Sequence, residues 1–158
     1  MEGRSAKGLT MQLTMTGEYA VRAMMHMSSL PFKTTAQIAD ISRQWDIPEN
    51  FLRKIVAQLS KSGLLTSQRG SGGGITLAQP AETTTLLDVI EAVEGKMFLN
   101  KCLMGPDACS RSGRCAVHIV WCEAQQKLRE VLGKWSLAEL AEHDRQLSLT
   151  RQAAGANP

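Results

Sequence analysis

Between Thr16 and Leu30 apolar side chains fall at Ala20, Val21, Met24 and Met25, with Met27 beside them, which is the rhythm of a helix with one buried face. Such a methionine-rich stripe reads as adaptable core packing. Thr34 and Gln37 have the spacing of a capping box and predict the start of a short helix that turns Ile38 and Ile41 inward. Trp45-Asp46-Ile47 then breaks the period. Pro48 suits the first turn of a next helix, whose buried stripe is Leu52, Ile55, Val56 and Leu59, while Asn50, Arg53, Lys54 and Lys61 point elsewhere. Gly63 ends it. Two short apolar-polar stretches, Leu64 to Gln68 and Ile75 to Leu77, flank Arg69-Gly70-Ser71-Gly72-Gly73-Gly74 and predict a hairpin with a glycine-rich tip. After Pro80 the pattern gives a helix through Leu86, Leu87, Val89, Ile90 and Val93, an irregular cysteine segment, and a longer helix from about Ala116 to Leu132. The apolar stripe of that last helix is Val117, Val120, Trp121, Ala124, Leu128, Val131 and Leu132.

Two short helices across a tight turn, followed by a two-stranded hairpin, make the winged form of the helix-turn-helix. The second helix enters the major groove, and the hairpin tip reaches the minor groove or phosphates. Arg69 at the foot of the tip suits that role, because glycines let backbone approach DNA closely and a narrow minor groove attracts a guanidinium. A nucleotide-binding phosphate loop does not fit, since such a loop runs from strand into helix with a Lys-Ser/Thr pair, whereas this one runs into Ile75-Thr76-Leu77. A plain surface hairpin is the competing reading.

The fold class is therefore mainly α with a small β-hairpin wing. Residues 1–10 form a flexible extension, because Met11 opens a second plausible start; residues 11–80 form the DNA-binding unit; residues 81–145 hold the cysteine segment and the long helix; residues 146–158 are expected to be a disordered tail. Charge is distributed unevenly: residues 1–80 carry nine Lys/Arg against five Asp/Glu, while the remainder is close to balance. A basic front half is what phosphate binding needs. No run of apolar residues is long enough to cross a membrane, and the amino terminus lacks a secretory pattern, so a cytoplasmic location is expected.

Four cysteines crowd into Cys102–Cys122 and the other 137 residues have none. Without export, such a cluster points to metal or redox chemistry rather than a disulfide framework. Soft thiolates select zinc, copper(I) or iron-sulfur clusters. The gaps between Cys102, Cys109 and Cys115 are longer than zinc pairs commonly use, yet from the residues alone zinc and a cluster stand nearly level. His118 lies one helical turn after Cys115, and Cys122 one turn after His118. A thiol switch is a third reading. An enzyme is disfavoured: Cys115 and His118 could be drawn as nucleophile and base, but no orienting third group is evident.

Met11-Gln12-Leu13-Thr14, Gly17-Glu18-Tyr19-Ala20-Val21, Ile38-Ala39-Asp40-Ile41-Ser42, the Arg69–Gly74 tip, Cys115-Ala116-Val117-His118 with Trp121, and Ser136-Leu137-Ala138-Glu139-Leu140 together resemble a bacterial regulator family. That family includes IscR, which governs iron-sulfur assembly, and the nitric-oxide sensor NsrR. The resemblance covers roughly residues 11–140. It implies a transcriptional regulator, here expected to repress, that binds a palindromic double-stranded operator as a homodimer. The long helix would cross its partner through Val117, Val120, Trp121, Ala124, Leu128 and Leu132. It places Asn50, Arg53 and Lys54 at the major groove and Arg69, with Gly70 and Ser71, at the wing contact. It also implies an iron-sulfur cluster on Cys102, Cys109 and Cys115, with a two-iron form favoured over a four-iron one. The fourth ligand is left among His118, Glu18 of the partner subunit and, last, Cys122.

Overall fold

The computed structural model describes residues 13–68, 70 and 73–155. The chain order is α1 (Met15–Ser28), α2 (Ile38–Trp45), α3 (Glu49–Lys61), β1 (Leu65–Gln68), β2 (Gly74–Leu77), α4 (Leu86–Glu94), α5 (Ala116–Lys134) and α6 (Leu137–Gly155). Short 3-10 turns at Lys101–Leu103 and Ser112–Arg114 punctuate the cysteine segment.

The core follows the apolar rhythm in α3 and departs from it in two places: in α1 the buried face turns to take in Ala23 and leaves Val21 and Met25 half-buried, and in α2 Ile38 is only half-buried at the core's edge. Ala20, Ala23, Met24 and Met27 of α1, Ile41 of α2, and Leu52, Ile55, Val56 and Leu59 of α3 are buried together with Ile75 and Leu77 of β2 and Val89 of α4. Each fully buried aliphatic side chain of this size contributes about 1.5–3 kcal/mol relative to exposure. Asp46 ends α2 in the left-handed region (φ 51, ψ 50), which a short polar side chain tolerates, and Ile47 behind it is buried. That residue makes the tight turn between α2 and α3. Pro48 precedes α3, and its carbonyl accepts from the Leu52 N–H at 2.9 Å.

β1 and β2 pair antiparallel with Leu65 opposite Leu77 and Gln68 opposite Gly74. Ala36 adds a further bridge, exchanging hydrogen bonds with Ile75 at 2.9 Å in both directions. Gly74 is required by this close approach: a Cβ there would lie 2.6 Å from the Ala36 carbonyl oxygen.

Two further sequence expectations change. Thr34 and Gln37 do not form a capping box. Gln37 is the residue preceding α2, it supplies no side-chain cap, and its amide donates instead to the Gly73 carbonyl, tying the start of α2 to the wing. The expected disordered tail from residue 146 is also corrected, because α6 continues as helix to Gly155. The helix is nucleated by Ser136, whose hydroxyl accepts from the Glu139 N–H at 3.2 Å while Glu139 Oε2 accepts from the Ser136 N–H at 2.9 Å. Glu142 then pairs with Arg145 and accepts from Gln146 along its exposed side. Leu137 at its start is fully buried, an anchor that the sequence pattern did not single out. The apolar stripe of α5, expected to face a second chain, is largely open to solvent in the single chain. Val117, Val120 and Val131 are 56–62% exposed, and the described part of α5 contains no buried residue. No described helix is long and apolar enough to cross a membrane.

Candidate nucleic-acid interface and cysteine centre

α3 presents Asn50, Arg53 and Lys54 to solvent, on the side away from Leu52, Ile55 and Leu59. Arg53 is held locally by Glu49 one turn earlier, with Nη2 2.5 Å and Nε 3.1 Å from Glu49 Oε1. This ion pair is half exposed, and such pairs are worth about 0–1 kcal/mol, so exchanging Glu49 for a phosphate or a base edge costs little. Tyr19 of α1 meets Phe51 edge-on at 5.7 Å and braces α3 from behind. At the wing, Gly70 adopts φ 111 and accepts from the Gly73 N–H at 3.0 Å. Arg69 and Ser71, both expected at the wing contact, lie outside the described residues.

The cysteine centre forms where the segment after α4 returns to the start of α5. Cys102, Cys109, Cys115 and His118 line one cavity of about 460 Å³, with Val117 and Trp121 in its wall. Cys102 is brought by a 3-10 turn whose preceding residue, Asn100, accepts from the Lys101 N–H at 2.7 Å. Cys115 immediately precedes α5, and the His118 N–H donates to its carbonyl at 3.0 Å. All four cysteines are free thiols. Partial burial pushes the Cys102 thiol up from its ordinary range, and Cys109, then Cys115 and Cys122, add to the rise because negative charge on any of them disfavours another thiolate. Among the described residues no three His, Cys, Asp or Glu side chains converge tightly enough to hold a single metal ion.

His118 Nδ1 is buried without a hydrogen-bond partner, and Nε2 lies 3.5 Å from Cys122 Sγ. An unpartnered imidazole nitrogen on a residue that lines the same cavity as three free thiols is a donor set whose chemistry suits a thiolate-bound iron-sulfur group. Cys122 is exposed and does not line the cavity shared by the other three thiols. Glu18 stands elsewhere, on the exposed flank of α1, 3.6 Å from Arg22 and beside a different groove that also takes Leu128 and Leu132. The expected α5 stripe is thus divided: Val117 and Trp121 reach the cysteine cavity, Leu128 and Leu132 face the α1–α4 groove, and Val120 is left exposed.

Two joints were not anticipated from the sequence. Glu94, the last residue of α4, accepts on Oε1 from the Thr14 N–H (3.1 Å), the Thr14 hydroxyl (2.6 Å) and the Gly17 N–H (3.1 Å), and so caps the first turn of α1. A Cβ on Gly17 would collide with this carboxylate. Across the α4–α5 contact, Arg129 pairs with Glu91, whose hydrogen bonding and charge raise the arginine further above its usual range. Glu94 sits eighty residues from Thr14, a separation at which no periodicity pairs two residues.

Fold and site together define a winged helix-turn-helix regulator with an appended cysteine centre. A family model described as "Rrf2: Iron-dependent Transcriptional regulator" matches residues 13–143. The regulator IscR of Erwinia tasmaniensis is 34% identical over 130 residues, covering 82% of this chain and 78% of its own, and IscR of Xenorhabdus nematophila is 32% identical over 94% of both chains. Among solved structures, CymR, the global cysteine regulator of B. subtilis, superposes with a TM-score of 0.70 at 22% identity over 85% of this chain and 98% of its own. T. potens IscR gives 0.67 at 23% over 84% and 88%. The chain belongs to the Rrf2 family of transcriptional regulators. Its family role is regulatory rather than enzymatic, and DNA is the partner that a winged helix of this family implies.

Proposed function

We propose that this regulator is a cytoplasmic homodimer that represses from a palindromic operator and reads the state of an iron-sulfur cluster held by Cys102, Cys109, Cys115 and His118. The observation that carries the reading is the single cavity lined by three free thiols and an imidazole whose buried Nδ1 has no partner. Its volume admits a polynuclear group, of which the two-iron form is favoured. When bound, such a group supplies reversible electron uptake and lability toward oxidants, with a histidine ligand raising its reduction potential relative to thiolate. The residues of the chain supply the rest. The cysteines fix the group to the start of α5, Arg129 and Glu91 fasten α5 to α4, and Glu94 fastens α4 to the first turn of α1. Movement of the cysteine segment is thereby tied to the helix that packs behind α3.

Dimerisation is supported by the exposed apolar face of α5, where Val117, Ile119, Val120 and Val131 are all more than half exposed. Two recognition helices would then sit about 34–36 Å apart on one face of DNA. Asn50, Arg53 and Lys54 enter the major groove, and Arg69 with Gly70 and Ser71 meets the adjacent minor groove or backbone. Replacing Arg53 by Ala should weaken operator binding by about 1–3 kcal/mol without unfolding the chain.

The test is anaerobic reconstitution with ferrous iron and sulfide, followed by iron and sulfide assay, absorption and paramagnetic resonance spectra, and gel shifts against the promoter upstream of the protein's own gene. Cys102→Ala, Cys109→Ala and Cys115→Ala should abolish cluster uptake, His118→Ala should shift the spectrum, and Cys122→Ala should leave it unchanged. A perturbation by Glu18→Ala with none by His118→Ala would close the cluster across the dimer instead. Stoichiometric zinc without sulfide would replace the cluster reading with a zinc regulator on the same fold.

A further inference from the structure

Residues 96–114 carry Cys102 and Cys109, yet the segment is fastened to the rest of the chain by few polar contacts. Its other hydrogen bonds are local turns, such as Leu103 to Asn100 and Ser112 to Cys109. Among the described residues, two hydrogen bonds leave the segment, and both end on one side chain. The Leu99 N–H donates to Gln125 Oε1 at 2.8 Å, and Gln125 Nε2 donates to the Met97 carbonyl at 2.9 Å. The partners dictate the amide's orientation, since a backbone N–H only donates and a carbonyl only accepts. Gln125 therefore pairs with the Met97–Leu99 backbone through both its donor and its acceptor, as a peptide group of a neighbouring strand would.

Its position on α5 gives the bracket a purpose. His118, Cys122, Gln125 and Arg129 follow one another at four, three and four residues and share one helical face. The bracket lies between the Arg129–Glu91 anchor and the ligand-bearing start of the helix. Leu99 precedes Cys102 by three residues, so fixing it confines that thiol to within about 10 Å of chain. The Asn100 cap and the Lys101–Leu103 turn stiffen this short connection.

We propose that Gln125 is a positioning residue for the cysteine centre: its amide holds the Met97–Leu99 stretch on α5 and so sets Cys102 in register with Cys115 and His118. The inference rests on the cluster reading for what the register serves, but the bracket itself can be read in the apoprotein. Gln125→Met keeps length, packing and helix preference and removes both hydrogen bonds. Gln125→Glu keeps the acceptor for Leu99 and loses the donor to Met97. In the metal-free protein the Leu99 amide should exchange with solvent about tenfold faster in Gln125→Met, with the thermal melt of the helices unchanged. After loading with ferrous iron and sulfide, release of iron to a chelator should also be about tenfold faster, with Gln125→Glu between that variant and the wild type. Unchanged Leu99 exchange overturns the bracket, and faster exchange with unchanged iron release overturns its role in positioning. If the wild-type chain takes up no iron and sulfide, the cluster reading falls by itself. The positioning is then decided in the apoprotein by dibromobimane cross-linking of Cys102 to Cys115, whose yield Gln125→Met must lower.

Discussion

The two halves of the molecule are held by different means. From α1 to α4 the described chain encloses a continuous core, with Met24, Ile41, Leu52, Leu59 and Val89 fully shielded from water. From Gly95 to Lys134 no described residue is buried, and the cysteine segment meets the rest through the amide of Gln125 and contacts with α5. A packed core resists gradual deformation, because its side chains have one dense arrangement. A segment with few buried contacts opens at low cost and is the natural place for a response to a ligand. The DNA-reading half is thus a rigid platform and the cysteine half a responsive appendage. Arg129, paired with Glu91 of α4, is the ionic link between the two halves, and Glu94 carries that connection on from α4 to the first turn of α1.

The largest expected effect separates the halves directly. Leu59 is fully buried in α3, and Leu59→Ala should cost about 2–5 kcal/mol of unfolding free energy through lost burial and the cavity it leaves. Cys102→Ala, in the metal-free protein, should stay within about 0.5 kcal/mol of wild type, as substitutions away from packed features do. Urea unfolding of the two variants side by side checks this. Comparable losses would mean that the cysteine segment is part of the same cooperative core.

A smaller effect is expected at the joint. Glu94→Ala removes the acceptor for three donors at the start of α1 and should cost about 1 kcal/mol, in the range of a lost helix cap. Glu94→Gln keeps one acceptor oxygen and should lose less. If the joint carries the signal, either variant should also reduce the difference in operator affinity between the loaded and metal-free proteins. Gel shifts on both forms read that difference. An undiminished difference would show that the halves communicate by another route.

How legible each half was follows from the same contrast. The buried stripe of α3, the turn at Asp46-Ile47 and the hairpin are local patterns that core packing obeyed, whereas in α1 packing turned the buried face to include Ala23 and left Val21 and Met25 at its edge. The cysteine centre was legible as a list of donors, since spacing alone brings Cys115, His118 and Cys122 onto successive helical turns. The closing of Cys102 onto Cys115 depends on Gln125, whose partners lie 26 and 28 residues away and carry no pattern of their own. The true role of Gln37 was hidden for a similar reason: its spacing from Thr34 suits a cap, but the wing offers its amide the Gly73 carbonyl. α6 was not read as a helix at all, because its exposed polar face reads like a tail and its anchor, Leu137, is an apolar residue whose burial is tertiary.

The smallest effect expected is a pH dependence located in the platform rather than in the appendage. His26, in the last turn of α1, is partly buried, and this burial lowers its proton affinity from the ordinary 6.5, with Asp40 of α2 opposing the shift by favouring the charged ring. A folded-state value below the unfolded one means that the unfolded chain binds more protons in this range. Stability is then fully present above about pH 6.5 and is lost as pH falls from there through the lower, folded-state value. His26→Gln removes that titration and should flatten the fall in the metal-free protein's stability as pH drops below about 7, measured by urea unfolding at closely spaced pH values. Asp40→Asn should act the other way, steepening the loss, because it removes the charge that opposes the shift. A His26→Gln protein whose profile still matches wild type would move the pH dependence out of α1, and with it the claim that the platform's own burial sets it.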